Sequence, residues 1–167
     1  MALKIRIHER LNETFNPKTV KIGDQVWMAE NLAIDYGEAV FDNVSGGNGI
    51  FFDSACRQYF YNDLAARHIT KVIKGWHLPN ESEIKELLET VTSLKNQSGL
   101  NITPYGFVSY DRRRNKLVRW NEERGTAFLR GEYDNDGDCV GIQLTANSAN
   151  LDYFGPHMFL NIRLIKD

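Results

Sequence analysis

The 167-residue sequence has little cysteine (2), little proline (4) and a formal charge of only -2. So few cysteines exclude a disulfide-dense small scaffold. No apolar run approaches the roughly 18 residues of a membrane span, so we expect no membrane insertion. The near-neutral charge argues against nucleic acid as a partner and against a polybasic membrane anchor. Leu, Ile, Val and Phe together number 45, which is enough for the buried core of a single domain spanning residues 1–167.

The start of the chain does not resemble a signal peptide. Apolar and charged residues alternate at positions 3–8, where a signal peptide has a continuous apolar stretch. This alternation predicts an N-terminal β-strand within residues 1–14, and we expect synthesis and folding in a cytoplasm. Cys56 and Cys139 are accordingly predicted to be free thiols. One alternative stays open, namely that an export signal has been removed from this N-terminus.

Two helices are predicted in the first half of the chain. The clearer one follows Pro79, where Asn80 and Glu83 provide the capping box of a helix start. A shorter helix is predicted over residues 63–68, with Asn62 as its N-cap. Four apolar residues at helical spacing predict the buried face of the clearer helix: Ile84, Leu87, Leu88 and Val91.

Strand signals dominate the rest of the chain. Residues 19–28 predict a tight hairpin around a Gly-Asp turn at 23–24, and residues 59–61 predict a short aromatic strand. A glycine- and asparagine-rich stretch at 42–49 predicts a loop. Further strands are predicted at 106–110, 117–120, 126–129, 140–144 and 159–165, with a turn at 135–137. The predicted fold class is therefore α+β, with two helices, antiparallel sheets and a long, loop-rich second half.

Three segments resemble a known family. Residues 19–32 (TVKIGDQVWMAENL) resemble the opening motif of the Fibrobacter succinogenes major paralogous domain family, and residues 75–79 (GWHLP) resemble its central motif. Residues 161–167 (NIRLIKD) are similar to its closing strand, so the resemblance covers residues 15–167. It implies a C-type lectin-like fold, with two flanking helices and a long irregular region over a second small sheet. It also implies that both termini share one sheet, in which the strands at 3–8 and 159–165 could pair.

The chain departs from the family pattern at a pair of cysteines. Family members often carry Cys-Pro shortly before the central motif, where this chain has Val72 and Ile73. They often carry Arg-Cys in the closing strand, where this chain has Arg163 and Leu164. The resemblance thus implies a domain without its usual disulfide, which fits folding in a reducing compartment. Family members occur in surface or secreted bacterial proteins and in phage proteins, and their ligands are largely unknown.

Aromatic and arginine residues of the second half supply the candidate contact surface. Trp27 and Trp76 stand in the family-like motifs and are expected in the core, whereas Trp120 is a candidate for stacking on a ligand. The basic run at 112–116 is predicted to be a solvated hairpin tip. Loops on a rigid scaffold commonly carry binding, and recognition surfaces are enriched in aromatic residues and arginine. The predicted contact residues are Tyr110, Arg112, Arg113, Trp120, Tyr133 and Asp136.

No motif predicts a metal, a cofactor or catalysis. The acidic run at 134–138 fails the EF-hand pattern, because its sixth position is Cys139 and its twelfth is Thr145. An acidic turn is predicted there, and calcium binding by this loop is left open. His77 is expected to be a core histidine, and neither cysteine stands in a catalytic motif. We therefore expect that the protein is not an enzyme.

The sequence predicts a non-enzymatic recognition or structural module that contacts a protein or a surface glycan. Cytoplasmic synthesis combined with an exposed recognition domain favours a phage virion component, such as a decoration, fibre or tail-tip protein. Such a component contacts a host surface or another virion protein, and we expect a homo-oligomer or part of a larger assembly. The alternative is a carbohydrate-binding surface module of a Bacteroides-like bacterium. A second alternative is an enzyme related to formylglycine-generating oxidases.

Overall fold

The computed structural model describes residues 14–35, 49–120, 125–133, 136 and 138–167. The predicted strand at 3–8, its pairing with 159–165 and residues 42–48 of the predicted loop lie outside the described residues. Among the described residues, the two helical elements with defined bounds are α1 (Asp63–Val72) and α2 (Glu81–Leu88). The strands are β1 (Thr19–Ile22), β2 (Gln25–Met28), β3 (Ile50–Asp53), β4 (Gln58–Tyr61), β5 (Trp76–His77), β6 (Phe107–Asp111), β7 (Lys116–Trp120), β8 (Ala127–Tyr133), β9 (Cys139–Leu144), β10 (Ala149–Phe154), β11 (Asn161–Ile162) and β12 (Ile165–Lys166).

In the described part of the chain, the strands form two four-stranded sheets and two hairpins. The first sheet has the order β1-β2-β12-β5, and the second has the order β10-β9-β8-β11. The hairpins are β3-β4 and β6-β7. All of these pairs are antiparallel except β11 with β8, which is parallel. The predicted α+β class, with two helices and mainly antiparallel sheets, is confirmed. Within the described residues, no helix is long and apolar enough to cross a membrane.

The first hairpin forms where it was predicted. β1 and β2 pair from Thr19 with Met28 to Ile22 with Gln25. Gly23 lies in the turn with φ of +59°, a left-handed conformation that glycine adopts without steric cost. Trp27 in β2 is fully buried, as expected from its place in the family-like motif.

Both helices begin at the predicted caps. In α1 the side chain of Asn62 accepts a hydrogen bond from the amide of Ala65 at 3.0 Å, and the helix continues to Val72, beyond the predicted end at residue 68. In α2 the amide of Glu83 donates to Asn80 Oδ1 at 3.0 Å, and Glu83 Oε2 accepts from the amide of Asn80 at 2.8 Å. These reciprocal bonds are the predicted capping box, and they satisfy two amides that a helix start leaves without partners.

Two large apolar clusters hold the elements together. One joins the first sheet, α2 and the second sheet, and the other lies beneath α1. Ile84 and Leu87 of the predicted helix face are buried in the first cluster, whereas Leu88 is only half-buried against it. Leu164 is fully buried in the second cluster together with Ile73. Val72, which together with Leu164 stands where the resembled family often carries cysteine, is buried as well, so both positions hold buried apolar side chains.

The closing segment corrects one prediction. Residues 159–165 do not form a single strand, because β11 belongs to the second sheet and β12 to the first. Between them the chain runs beside the end of β2, where Met28 N donates to Leu164 O at 3.0 Å and Leu32 N donates to Ile162 O at 2.8 Å. The segment is buried on both sides, so its apolar pattern could not indicate a change of sheet. It ties the two sheets together.

Candidate functional site

The basic run forms the predicted hairpin tip. β6 and β7 pair from Phe107 with Trp120 to Asp111 with Lys116, so that residues 112–115 make the turn. Asp111 Oδ1 accepts the amides of Arg113 at 2.9 Å and Arg114 at 3.3 Å, an Asx-type turn that fixes the backbone of the tip. The tip therefore presents its arginine side chains from an ordered backbone.

An open pocket of about 470 Å³ lies at this hairpin. Four of the predicted contact residues line it together: Tyr110, Arg112, Arg113 and Trp120. The indole of Trp120 contributes an apolar wall, since the residue is 39% exposed. We call this site the arginine pocket. Asp111 and Arg114 also line it, although neither was among the predicted contact residues. Both neighbour predicted residues in the hairpin, so the hairpin prediction itself could have indicated them.

Positive charge predominates among the described residues that line the arginine pocket. Arg114 Nε lies 3.4 Å from Asp111 Oδ2. Among the described residues, Arg112 and Arg113 form no ion pair, and both are exposed. A guanidinium presents a planar fork of donors that matches a carboxylate, sulfate or phosphate group. The arginine pocket is thus suited to an anionic group that is attached to a stackable ring.

Tyr133 and Asp136 do not line the arginine pocket. Asp136 is exposed beyond the end of β8. Only Asp136 and Asp138 of the acidic run are described, so calcium binding by that loop lies outside the described residues. Tyr133 lines a separate pocket of about 240 Å³. We call it the His77 pocket, and its walls are Arg67, Thr70, His77, Leu78, Glu132 and Tyr133.

Charged groups surround the His77 pocket. The guanidinium of Arg67 lies over the ring of Tyr133, 4.9 Å from its centroid, and pairs with Asp63 at 2.5 Å. Burial raises the pKa of the Glu132 carboxyl, and Glu83 adds to this rise, while His77 opposes it. Since both signs of charge face this pocket, it has no clear preference for an anion or a cation.

His77 does not lie in the core as expected. Its side chain is 30% exposed and bridges two carboxylates, with Nε2 2.8 Å from Glu83 Oε1 and Nδ1 2.6 Å from Asp167 Oδ1. Burial works against the charged ring, but the bonds to Glu83 and Asp167 outweigh it and raise the pKa of His77 above its ordinary 6.5. The ring therefore joins β5, the start of α2 and residue 167 most strongly when it carries both protons.

This bridge predicts pH-dependent stability. Because the pKa of His77 is raised in the folded protein, its stabilising effect is complete below the ordinary value and is lost as the pH rises through the folded value. We expect His77→Gln to lower the free energy of unfolding more at pH 5.5 than at pH 8.5, as measured by urea denaturation. His157→Gln serves as the control, because His157 is exposed and forms no ion pair among the described residues. An equal loss for His77→Gln at both pH values would show that the bridge does not depend on the ring's charge.

The two cysteines are free thiols, as predicted. Cys139 is fully buried, and its Sγ donates to Asp63 Oδ1 at 3.4 Å. Burial raises the pKa of Cys139 to about 12, and burial also raises the pKa of the half-buried Cys56. A thiolate is the reactive form of cysteine, so both environments favour the unreactive form. Neither cysteine lines the arginine pocket or the His77 pocket.

The tryptophans occupy three different environments. Trp27 is fully buried, which confirms its expected core role. Trp76 is half-buried and meets Phe15 edge to face at 5.8 Å, at the margin of the core. Trp120 is the exposed member of the three and lines the arginine pocket.

No family model, no curated protein and no solved structure matches this chain. The resemblance to the Fibrobacter succinogenes family stays a prediction.

Proposed function

We propose that this protein is a non-enzymatic recognition module with a C-type lectin-like fold, and that its arginine pocket binds an acidic surface glycan. Three features support the fold: a hairpin in the first family-like motif, helices before and after the second motif, and a separate sheet built from the second half. The observation that carries the function is the convergence of Arg112, Arg113, Tyr110 and Trp120 on one open pocket.

The chemistry of the pocket favours an acidic sugar. Two exposed guanidinium groups can each form charge-assisted, bidentate hydrogen bonds with a carboxylate or sulfate. An exposed indole offers a flat apolar face to the ring that carries this group. The charge of the whole chain is -2, so attraction of an acidic glycan is confined to the hairpin and is not a property of the whole surface.

A binding assay tests this proposal. We expect the protein to bind immobilised heparin or hyaluronan, but not neutral dextran. The double variant Arg112→Gln/Arg113→Gln should bind at least tenfold more weakly, a loss of about 1.4 kcal/mol, because the guanidinium forks are gone. Trp120→Ala should weaken the same interaction. Surface plasmon resonance at two salt concentrations measures both effects.

A matched control separates the site from bulk charge. Lys21→Gln/Lys166→Gln removes the same charge from exposed positions in the first sheet, and we expect it to bind like the wild type. Equal losses in both double variants would contradict a defined site. Failure to bind either acidic glycan, or equally tight binding of duplex DNA, would overturn the proposed ligand class.

We propose a phage particle as the setting of this module, as a decoration, fibre or tail-tip component. The support is the resemblance to the Fibrobacter succinogenes major paralogous domain family, which also occurs in phage proteins, together with Val72 and Leu164 at the positions where its members often carry cysteine. Electron microscopy of the native particle, labelled with an antibody against this chain, tests the setting. Labelling of a bacterial cell surface in place of particles would favour the alternative, a carbohydrate-binding surface module.

A further inference from the structure

A third pocket of about 330 Å³ combines residues from four distant parts of the chain. We call it the amide pocket. Asn31 follows β2, Gln58 begins β4, Asn101 lies before β6, and Arg163 lies between β11 and β12. None of these residues was a candidate in the sequence, because their proximity depends on the tertiary fold. The amide pocket shares no residue with the arginine pocket.

Arg163 holds the floor of the amide pocket in a fixed arrangement. The residue is 2% exposed. Its Nη1 donates to the carbonyls of Met28, at 3.4 Å, and Leu100, and its Nη2 donates to the carbonyl of Asn101 at 3.2 Å. A buried guanidinium with several carbonyl partners is difficult to displace. The floor is therefore rigid.

Arg163 also determines which atoms of the neighbouring amide side chains accept hydrogen bonds and which donate them. Arginine can only donate, so its Nε contact at 2.9 Å assigns the Asn31 oxygen as the acceptor. The nitrogen of Asn31 then donates to Gln58 Oε1 at 3.0 Å. This relay leaves the two N–H groups of Gln58 Nε2 without an acceptor among the described residues. Gln58 lines the amide pocket and is half-buried there.

Four further side chains of the amide pocket have polar groups with no hydrogen-bond partner among the described residues. Asn101 has φ of +50°, and its carbonyl is held by Arg163. Within the described part of the chain, the Asn101 side chain and the hydroxyls of Thr103, Tyr59 and Tyr105 form no hydrogen bond, yet all four residues line the pocket. The lining thus offers donors, groups that both donate and accept, and two aromatic rings.

The charges at the amide pocket argue against an ionic ligand. Glu30 is paired with Lys18 at 2.7 Å, and the guanidinium of Arg163 donates to backbone carbonyls and to Asn31. Arg57 is an exposed residue of the lining, so most of the polar groups that face a ligand are neutral amides and hydroxyls. Hydroxyl groups donate and accept at once, so a polyhydroxylated ring suits a lining of amides and tyrosine hydroxyls. The volume falls within the usual range of small-ligand sites, roughly 300–1,000 Å³. We propose that the amide pocket binds a neutral sugar unit, independently of the acidic glycan assigned to the arginine pocket.

Ligand-observed NMR with free monosaccharides tests the proposal. Glucose, galactose, mannose and N-acetylglucosamine are each added to the full chain at millimolar concentration, with glucuronic acid as the charged comparison. We expect saturation transfer to at least one neutral sugar. Gln58→Leu should reduce the affinity at least fivefold, since a single hydrogen bond is worth about that factor. Asn101→Gly should also reduce it, and glycine tolerates the left-handed backbone at this position.

Gln143→Leu is the matched control, because Gln143 is also a half-buried strand glutamine but does not line the amide pocket. We expect it to leave sugar binding unchanged. Saturation transfer to none of the neutral sugars, transfer to glucuronic acid alone, or full affinity in both pocket variants would each overturn the proposal. Heparin binding measured on the same variants should stay at the wild-type level, so failure of this site is distinguishable from failure of the arginine pocket.

Discussion

Replacing Arg163 with methionine is expected to lower the free energy of unfolding by about 3–5 kcal/mol, since each buried acceptor left without a donor costs about 1–3 kcal/mol. The backbone carbonyls of Met28, Leu100 and Asn101 and the side chain of Asn31 all accept from this guanidinium. Burial lowers the pKa of Arg163 to about 10, so the side chain is still charged at neutral pH. Methionine fills much of the same space but donates no hydrogen bond.

Urea denaturation at pH 7 measures this loss. Arg112→Met is the matched control, because Arg112 is exposed on the hairpin tip and such surface changes usually stay within about 0.5 kcal/mol. Arg163→Lys should recover only part of the stability, since one ammonium group cannot reach acceptors that lie in several directions. A loss below about 1 kcal/mol in Arg163→Met would mean that water satisfies these carbonyls as well as the arginine does.

Local signals explain which elements could be predicted. The turn at Gly23 and the caps at Asn62 and Asn80 depend on residues a few positions apart, and each of these features forms as predicted. The hairpin tip at 112–115 is local in the same sense and forms as predicted. The sequence named six contact residues but did not separate the four that line the arginine pocket from Tyr133 and Asp136.

Three strands were missed, β8 is longer than the predicted 126–129, and the single strand predicted at 159–165 is in fact two strands, β11 and β12. β10 has the alternation of a half-buried strand, with Ala149 and Leu151 against the core, but its asparagine content is typical of a loop. β5 has two residues, too few to show a period. β3 directly follows the glycine-rich stretch that was predicted as a loop, and its three successive apolar residues at 50–52 show no alternation. The break between β11 and β12 depends on which sheet each part joins, and periodicity along the chain carries no such information.

The burial of two arginines could not be predicted from the sequence. Arg130 and Arg163 are both almost completely buried, yet arginine is a surface residue by default. Arg130 Nε donates to the carbonyl of Tyr61 at 3.3 Å, across 69 positions of sequence. Partners so distant are visible only in the folded chain. The amide pocket was missed for the same reason, because it is built on Arg163. His77 was placed in the core because its motif is apolar on either side, whereas its carboxylate partners come from other segments.

Replacing Gly131 with alanine is expected to destabilise the protein by about 3 kcal/mol, at the upper end of the usual cost of overpacking a core. A Cβ at this position of β8 would lie 2.4 Å from the carbonyl oxygen of Pro79, 3.0 Å from that of Val140 and 3.1 Å from Ile84 Cδ1. The first two neighbours are backbone atoms, so the clash cannot be relieved by rotating a side chain. The carbonyl of Pro79 also accepts the amide of Glu132 at 2.8 Å, and moving it breaks this link between β8 and the start of α2.

Gly155→Ala is the matched control, because a Cβ at that position meets nothing within 4 Å. The same substitution there should be neutral or stabilise by a few tenths of a kcal/mol, since alanine restricts the unfolded chain more than glycine does. Thermal and urea unfolding of the two variants compare the sites directly. Equal stability of both variants would show that β8 can move away from Pro79 at little cost. A large loss confined to Gly131→Ala would instead establish that the sheet and the Gly-Trp-His-Leu-Pro segment are held at a distance that only glycine permits.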